Sequence, residues 1–334
     1  MKKYLFSFII FVHFASADVV VNGNLQTPLF PEDNWWNLIV SNAPLDSISD
    51  AIITYLGGSS QGCRPNFGAV PIYGMPYGVV PGDTPLVMPV FYYASESDTN
   101  APGRPPGYPI PEEAKTNQMS EGGTPGGGTS GDRHLLLVDQ EHRLLFELYA
   151  THWNESSSTW ECGSGAIFEL DTNNRRPEGW TSADAAGLAI LPGLIRADEV
   201  FVESNINHAI RVTVHGVKDY VYPASHLANT DNNSPIPLGT RFRLKQNVDL
   251  SGKSFPTRII FQALKTYGMI VADTGSDLYL QGTSDPLWDN DVLNPEFGSI
   301  KATDFEVIEL GWDIPEPCLF IIYCLSFIVY YRKV

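Results

Sequence analysis

GDRHLLLVDQEHRLLFELYATHWNESSSTWECGSGAIFELD, residues 131–171, holds three strongly apolar runs, HLLLVD (134–139), RLLFELY (143–149) and AIFEL (166–170), each closed by polar turn residues. Apolar runs of four to eight residues between turn signals read as strands, so this stretch is expected to form a β-meander. Two of the runs share a Phe-Glu-Leu triplet, with Glu147 and Glu169 as carboxylates set into apolar surroundings. If those strands are antiparallel neighbours in register, the two glutamates share a face with Cβ atoms roughly 5 Å apart. That spacing suits the nucleophile and acid/base pair of a retaining glycoside hydrolase. Asp132 and His134, at the mouth of the first strand, would tune the pair, and Trp153, Trp160 and Trp180 would stack against sugar rings. The plainer reading places both glutamates on the solvated outer face of an antiparallel sheet.

On either side of this core, short apolar pieces alternate with Pro and Gly over residues 63–93, which suits short or edge strands. Further strands are expected over 208–214, 220–222, 241–245 and 305–310, with 269–272 and 278–281 forming a hairpin around Asp273-Thr274-Gly275-Ser276. Amphipathic spacing with end signals predicts helices over 47–56 and 254–267, and a short capped helix over 180–187. Many short strands with two or three peripheral helices point to a mainly β chain, a β-sandwich or jelly roll, in one domain over residues 18–312. Residues 95–131 run PGRPPGYPIP into EGGTPGGGTSG, a stiff piece leading into a flexible one, and are expected as a flap or a linker.

Residues 1–17 carry Lys2 and Lys3, an apolar run and Ala15-Ser16-Ala17, the three parts of a secretory signal. Export makes a Cys63–Cys162 disulfide the expected pairing, and places Asn154 and Asn232, both in Asn-x-Ser sequons, on surface loops as glycosylation acceptors. Residues 318–331 are almost wholly apolar and are followed by Arg332 and Lys333, which fits either a membrane anchor or a buried tail. Twenty-one basic against 38 acidic residues give a net charge of −17, and so acidic a surface repels nucleic acid.

Two other constellations deserve weighing. His134, His208 and His226 each lie at or near a strand end and would make a three-histidine metal site if they converged, although no short spacing links them. Asp273-Thr274-Gly275 resembles the active-site loop of pepsin-type aspartic proteases, yet no second such triplet is present to share a proton. No cofactor-binding signature is found. In sequence order FPEDNWWN (30–37), YGMPYGVVPG (73–82), SGDRHLLLVD (130–139), SGAIFEL (164–170), GWTSADAAGLAILPGL (179–194), NHAIRVTV (207–214) and KTYGMIVADTGS (265–276) resemble a group of secreted, mostly bacterial proteins of no established activity. The resemblance implies export and assigns no catalytic residue. The leading expectation is therefore a secreted protein acting on an extracellular polysaccharide through Glu147 and Glu169. The alternative is a non-catalytic carbohydrate-binding or cell-surface protein, and an aspartic-protease-like site at Asp273 comes third.

Overall fold

The computed structural model describes residues 18–99 and 103–313. The first half of the chain supplies strands β1 (Val20–Val21), β2 (Arg64–Asn66), β3 (Tyr77–Val80), β4 (Val90–Phe91), β5 (Leu135–Asp139), β6 (Leu144–Leu148), β7 (His152–Asn154), β8 (Thr159–Cys162) and β9 (Gly165–Glu169). The second half supplies β10 (Ile210–Val214), β11 (Asp219–Tyr220), β12 (Pro237–Leu238), β13 (Arg241–Leu244), β14 (Met269–Thr274), β15 (Tyr279–Gln281) and β16 (Phe305–Val307). Three α-helices, α1 (Ser49–Tyr55), α2 (Phe255–Thr266) and α3 (Asn290–Gly298), accompany them. The chain is mainly β, as expected.

Strands β1-β3-β5-β6-β9 form one sheet and β16-β13-β14-β10-β15-β2 another, with small sheets β4-β8-β7 and β11-β12 beside them. The expected meander is present as antiparallel β5-β6-β9, with the β7-β8 hairpin inserted between its last two strands. Leu136, Val138, Leu145 and Phe168 on one face of this sheet share a core with Ile210, Val212, Val271 and Leu280 of the second sheet. Leu135, Leu137, Phe146 and Ile167 on the opposite face build a separate core with Tyr108, Ile110 and Trp160. Burying both faces explains why these strands read as continuous apolar runs and not as alternating ones.

Between the two large sheets lies an irregular segment, residues 182–195, buried over nearly its whole length. The helix expected over 180–187 is absent. Ser182 instead turns the chain, its Oγ donating to the Leu188 carbonyl at 2.6 Å and accepting from the Asp184 N–H at 2.9 Å. Such side-chain bonds offer the backbone an alternative to helix. The segment is then fastened to the second sheet by Ala186 N–H to Ala272 O at 2.9 Å and Ile195 N–H to Gln281 O at 3.0 Å.

Two further expectations are corrected, and one helix is added. Strands β14 and β15 do not pair as a hairpin, because β10 lies between them, parallel to one and antiparallel to the other. The 95–131 stretch is no free flap in its described part, since Tyr108, Ile110, Ala114 and Met119 are buried in the second core. Helix α3 escaped notice because Pro295 interrupts its sequence, although Asp289 caps it by accepting from Asp291 and Val292 N–H groups. The leader at 1–17 and the apolar tail at 318–331 lie outside the described residues, among which no helix is long and apolar enough to cross a membrane.

Candidate functional site

The start of β5, the end of β6, the buried 182–195 segment and the C-terminal end of β14 come together around one cavity of about 370 Å³. Asp132, His134, Tyr149, Asp184, His226 and Asp273 all line it, although they are distant from one another in sequence. A volume of this size falls in the range of small-molecule sites, roughly 300–1,000 Å³.

Its wall is a buried ionic framework. Arg211, on the central strand β10, donates Nε to Asp184 Oδ2 at 2.8 Å and Nη2 to Asp184 Oδ1 at 2.6 Å. The same Nη2 donates to Asp273 Oδ2 at 2.9 Å, so one guanidinium holds two carboxylates. Burial opposes the Arg211 charge, but the Asp184 and Asp273 carboxylates outweigh it and hold the group more firmly protonated. A second pair adjoins it. His134 Nδ1 lies 2.7 Å from Glu121 Oε2, and its Nε2 donates to the Ala183 carbonyl at 3.1 Å. Burial disfavours the imidazolium, yet Glu121 prevails and pushes His134 up to about 9, so both ring nitrogens are donors at neutral pH. The Glu121 carboxyl is held below its usual range, the His134 cation overcoming the effect of burial.

The groups that face the opening are different. Asp132 is exposed at the rim. Burial and the nearby Asp132 charge raise the Tyr149 phenol. His226 donates Nδ1–H to the Ala185 carbonyl at 2.8 Å, which fixes its tautomer and leaves Nε2 toward Glu96, 3.5 Å away. Glu96 and Tyr93 complete that side of the cavity.

The glutamate pair expected from the sequence does not form. In the β6–β9 register Glu147 stands opposite Ala166 while Glu169 stands opposite Leu144, an odd offset that puts the two carboxylates on opposite faces. Glu147 is fully buried and accepts from Ile190 N–H at 2.9 and 2.8 Å and from Leu191 N–H at 2.9 Å. Burial pushes its carboxyl up to about 7 against the pull of those donors. It fastens the 182–195 segment to the first sheet and is no reactive group in a groove. Glu169 is a half-buried partner of Arg104 at 3.5 Å.

The other expected residues are similarly dispersed. Trp153 and Trp160 meet at a tilt in the small sheet, ring centroids 5.5 Å apart, and Lys115 caps the Trp153 ring at 3.9 Å. Trp180 lies beneath Arg176 at 5.2 Å, and none of the three lines the cavity. His134 and His226 share the cavity, but His208 sits elsewhere with Nε2 3.1 Å from Glu199, so the three histidines do not converge. No cluster with metal-binding composition occurs among the described residues. Asp273 does reach the cavity, yet its partner aspartate is bridged to it by Arg211 and not by a shared proton, which removes the aspartic-protease geometry.

Cys63 and Cys162 are free and buried in different cores, so the expected disulfide is absent. Asn232 is exposed, whereas the Asn154 amide is engaged by Glu161 at 2.7 Å.

Asp184, Arg211 and Glu121 escaped sequence reading. The available signal was the presence of charged residues inside apolar runs, Arg211 in NHAIRVTV above all, because a charge there must find a buried partner. No protein-family model, curated protein or solved structure matches the chain.

Proposed function

We propose that the cavity bounded by Asp132, His226 and Asp273 binds a polyhydroxylated ligand, part of an extracellular glycan, for a protein that is exported. The observation that carries this reading is the division of charge around the cavity. The two buried cations, His134 and Arg211, are already committed to Glu121, Asp184 and Asp273, while Asp132 and Glu96 stand at its open side. A lining of that sign repels phosphate and carboxylate ligands and offers acceptors to hydroxyl donors. Asn229, Ser164 and Thr274 add neutral polar groups, and Tyr149 and Tyr93 supply ring surface. The secretory leader and the acidic composition support the extracellular setting.

Titration of the purified chain with a panel of gluco-, manno-, xylo- and chito-oligosaccharides tests the proposal. Binding by at least one series is expected, with loss in Asp132→Ala, an exposed rim position, at unchanged melting temperature. Absence of binding across the panel rejects the reading.

A second reading, hydrolysis at the same cavity, draws support from His226, whose Nδ1 bond to the Ala185 carbonyl directs Nε2 toward Glu96. Release of reducing ends that disappears in His226→Asn would favour it. Binding without turnover leaves the first reading alone.

A further inference from the structure

A second cavity, about 570 Å³, opens beside the first and is lined by Tyr92, Tyr93, Arg133, Tyr149, His152 and Glu161 among others. Tyr93 and Tyr149 line both cavities, so the two adjoin at a shared pair of residues. The chain itself marks the division. At the left-handed turn of Arg133 (φ 49°) consecutive residues part company, Asp132 lining the first cavity and Arg133 the second.

The second cavity is built on fixed parts. Arg133 is tied down by donating Nη1 to Gly131 O at 2.7 Å, with Nε and Nη2 reaching Thr151 O and Ala150 O at 3.3 Å each. Tyr92 and Tyr93 hang from the end of β8 through Tyr92 N–H to Cys162 O at 2.9 Å and Tyr93 N–H to Gly163 O at 2.8 Å. Their rings meet edge to face at 4.7 Å, with Tyr92 83% exposed. A tyrosine pair held by its backbone and open to solvent offers an apolar face and a polar edge at little ordering cost.

We infer that this second cavity is a further sugar subsite, and that the ligand is an oligosaccharide of two or more rings crossing Tyr93 and Tyr149. The inference rests on the glycan reading of the first cavity. Its occupant is argued from adjacency, because a ligand that extends out of the first cavity past Tyr93 and Tyr149 reaches residues that also line the second.

The test is a length series of one to six units from each oligosaccharide family, titrated against the purified chain and against Tyr92→Ala, whose exposed side chain lines the second cavity alone. Affinity is expected to rise roughly tenfold or more from one unit to the longer members in the wild type, and Tyr92→Ala to cancel that gain while leaving the single unit unaffected. Equal affinity at every length, or a length gain that survives Tyr92→Ala, overturns the second subsite and leaves the first cavity standing. Failure to bind any member overturns the glycan reading and this inference with it.

Discussion

Arg211 and Asp184 meet through two hydrogen bonds with neither side chain exposed to solvent. One residue belongs to the centre of the second sheet and the other to the irregular segment packed on it, so the pair locks the two together. Removing Asp184 leaves the buried Arg211 charge with Asp273 in place of two carboxylates. Asp184→Ala is expected to lower unfolding free energy by about 3–5 kcal/mol in urea titrations. The double variant Arg211→Met/Asp184→Leu should lose less than Asp184→Ala alone, and a larger loss would show that the pair is not the source of the cost.

Stability should fall as pH rises through neutrality. His134 is pushed up to about 9 in the fold, so its contribution is complete below its ordinary value near 6.5 and is lost between there and about 9. Glu147, pushed up to about 7 by burial, acts in the same direction over a lower window, beginning near 4.5. Glu121, held low, works the opposite way and withdraws its support only as the medium becomes acidic. Unfolding free energy measured from pH 5 to 9 should therefore decline. His134→Gln should flatten the upper part of the curve, which spans on the order of 3 kcal/mol.

Glu147 and Glu169 should respond unequally to the same substitution. Glu147→Gln turns an amide toward N–H groups that a carboxylate now receives, and should destabilise by about 1–3 kcal/mol. Glu169→Gln touches a partly exposed, loosely paired side chain and should change stability by less than about 1 kcal/mol. Neither change should abolish ligand binding in the folded protein. Equal behaviour in the two variants would contradict the register described for β6 and β9.

Cys63 and Cys162 should resist thiol reagents in the native state. Burial pushes the Cys162 thiol up to about 12 and raises that of Cys63 further, leaving almost no thiolate at either position. Peptide mapping after alkylation should find both unlabelled under native conditions and labelled in denaturant. Recovery of a disulfide-linked peptide joining them would refute the separation of the two cores.

Much of the β architecture can be read locally, because β5, β6 and β9 are buried on both faces and announce themselves as apolar runs. Their exact register cannot. The matching Phe-Glu-Leu triplets suggest equivalent positions, but the inserted β7-β8 hairpin sets the pairing and brings Glu169 opposite Leu144. Nor does local pattern reveal that β10 intervenes between β14 and β15, since that arrangement depends on contacts distant in sequence. Asp132, His134, His226 and Asp273 each attract attention singly for their strand-end positions or motif. Their meeting depends on Arg211, Glu121 and the 182–195 segment, whose backbone follows bonds from Ser182 and Glu147 against its helical letters.

The 182–195 segment donates N–H groups to Glu147 on one side and to the Ala272 carbonyl on the other, where its Asp184 also accepts from Arg211. Neither half of the molecule is complete without it, and cutting the chain between the sheets would strand polar backbone at a freshly opened apolar surface. Separately expressed halves should consequently remain unfolded until mixed, and unfolding should proceed as one cooperative event in which both layers are lost together.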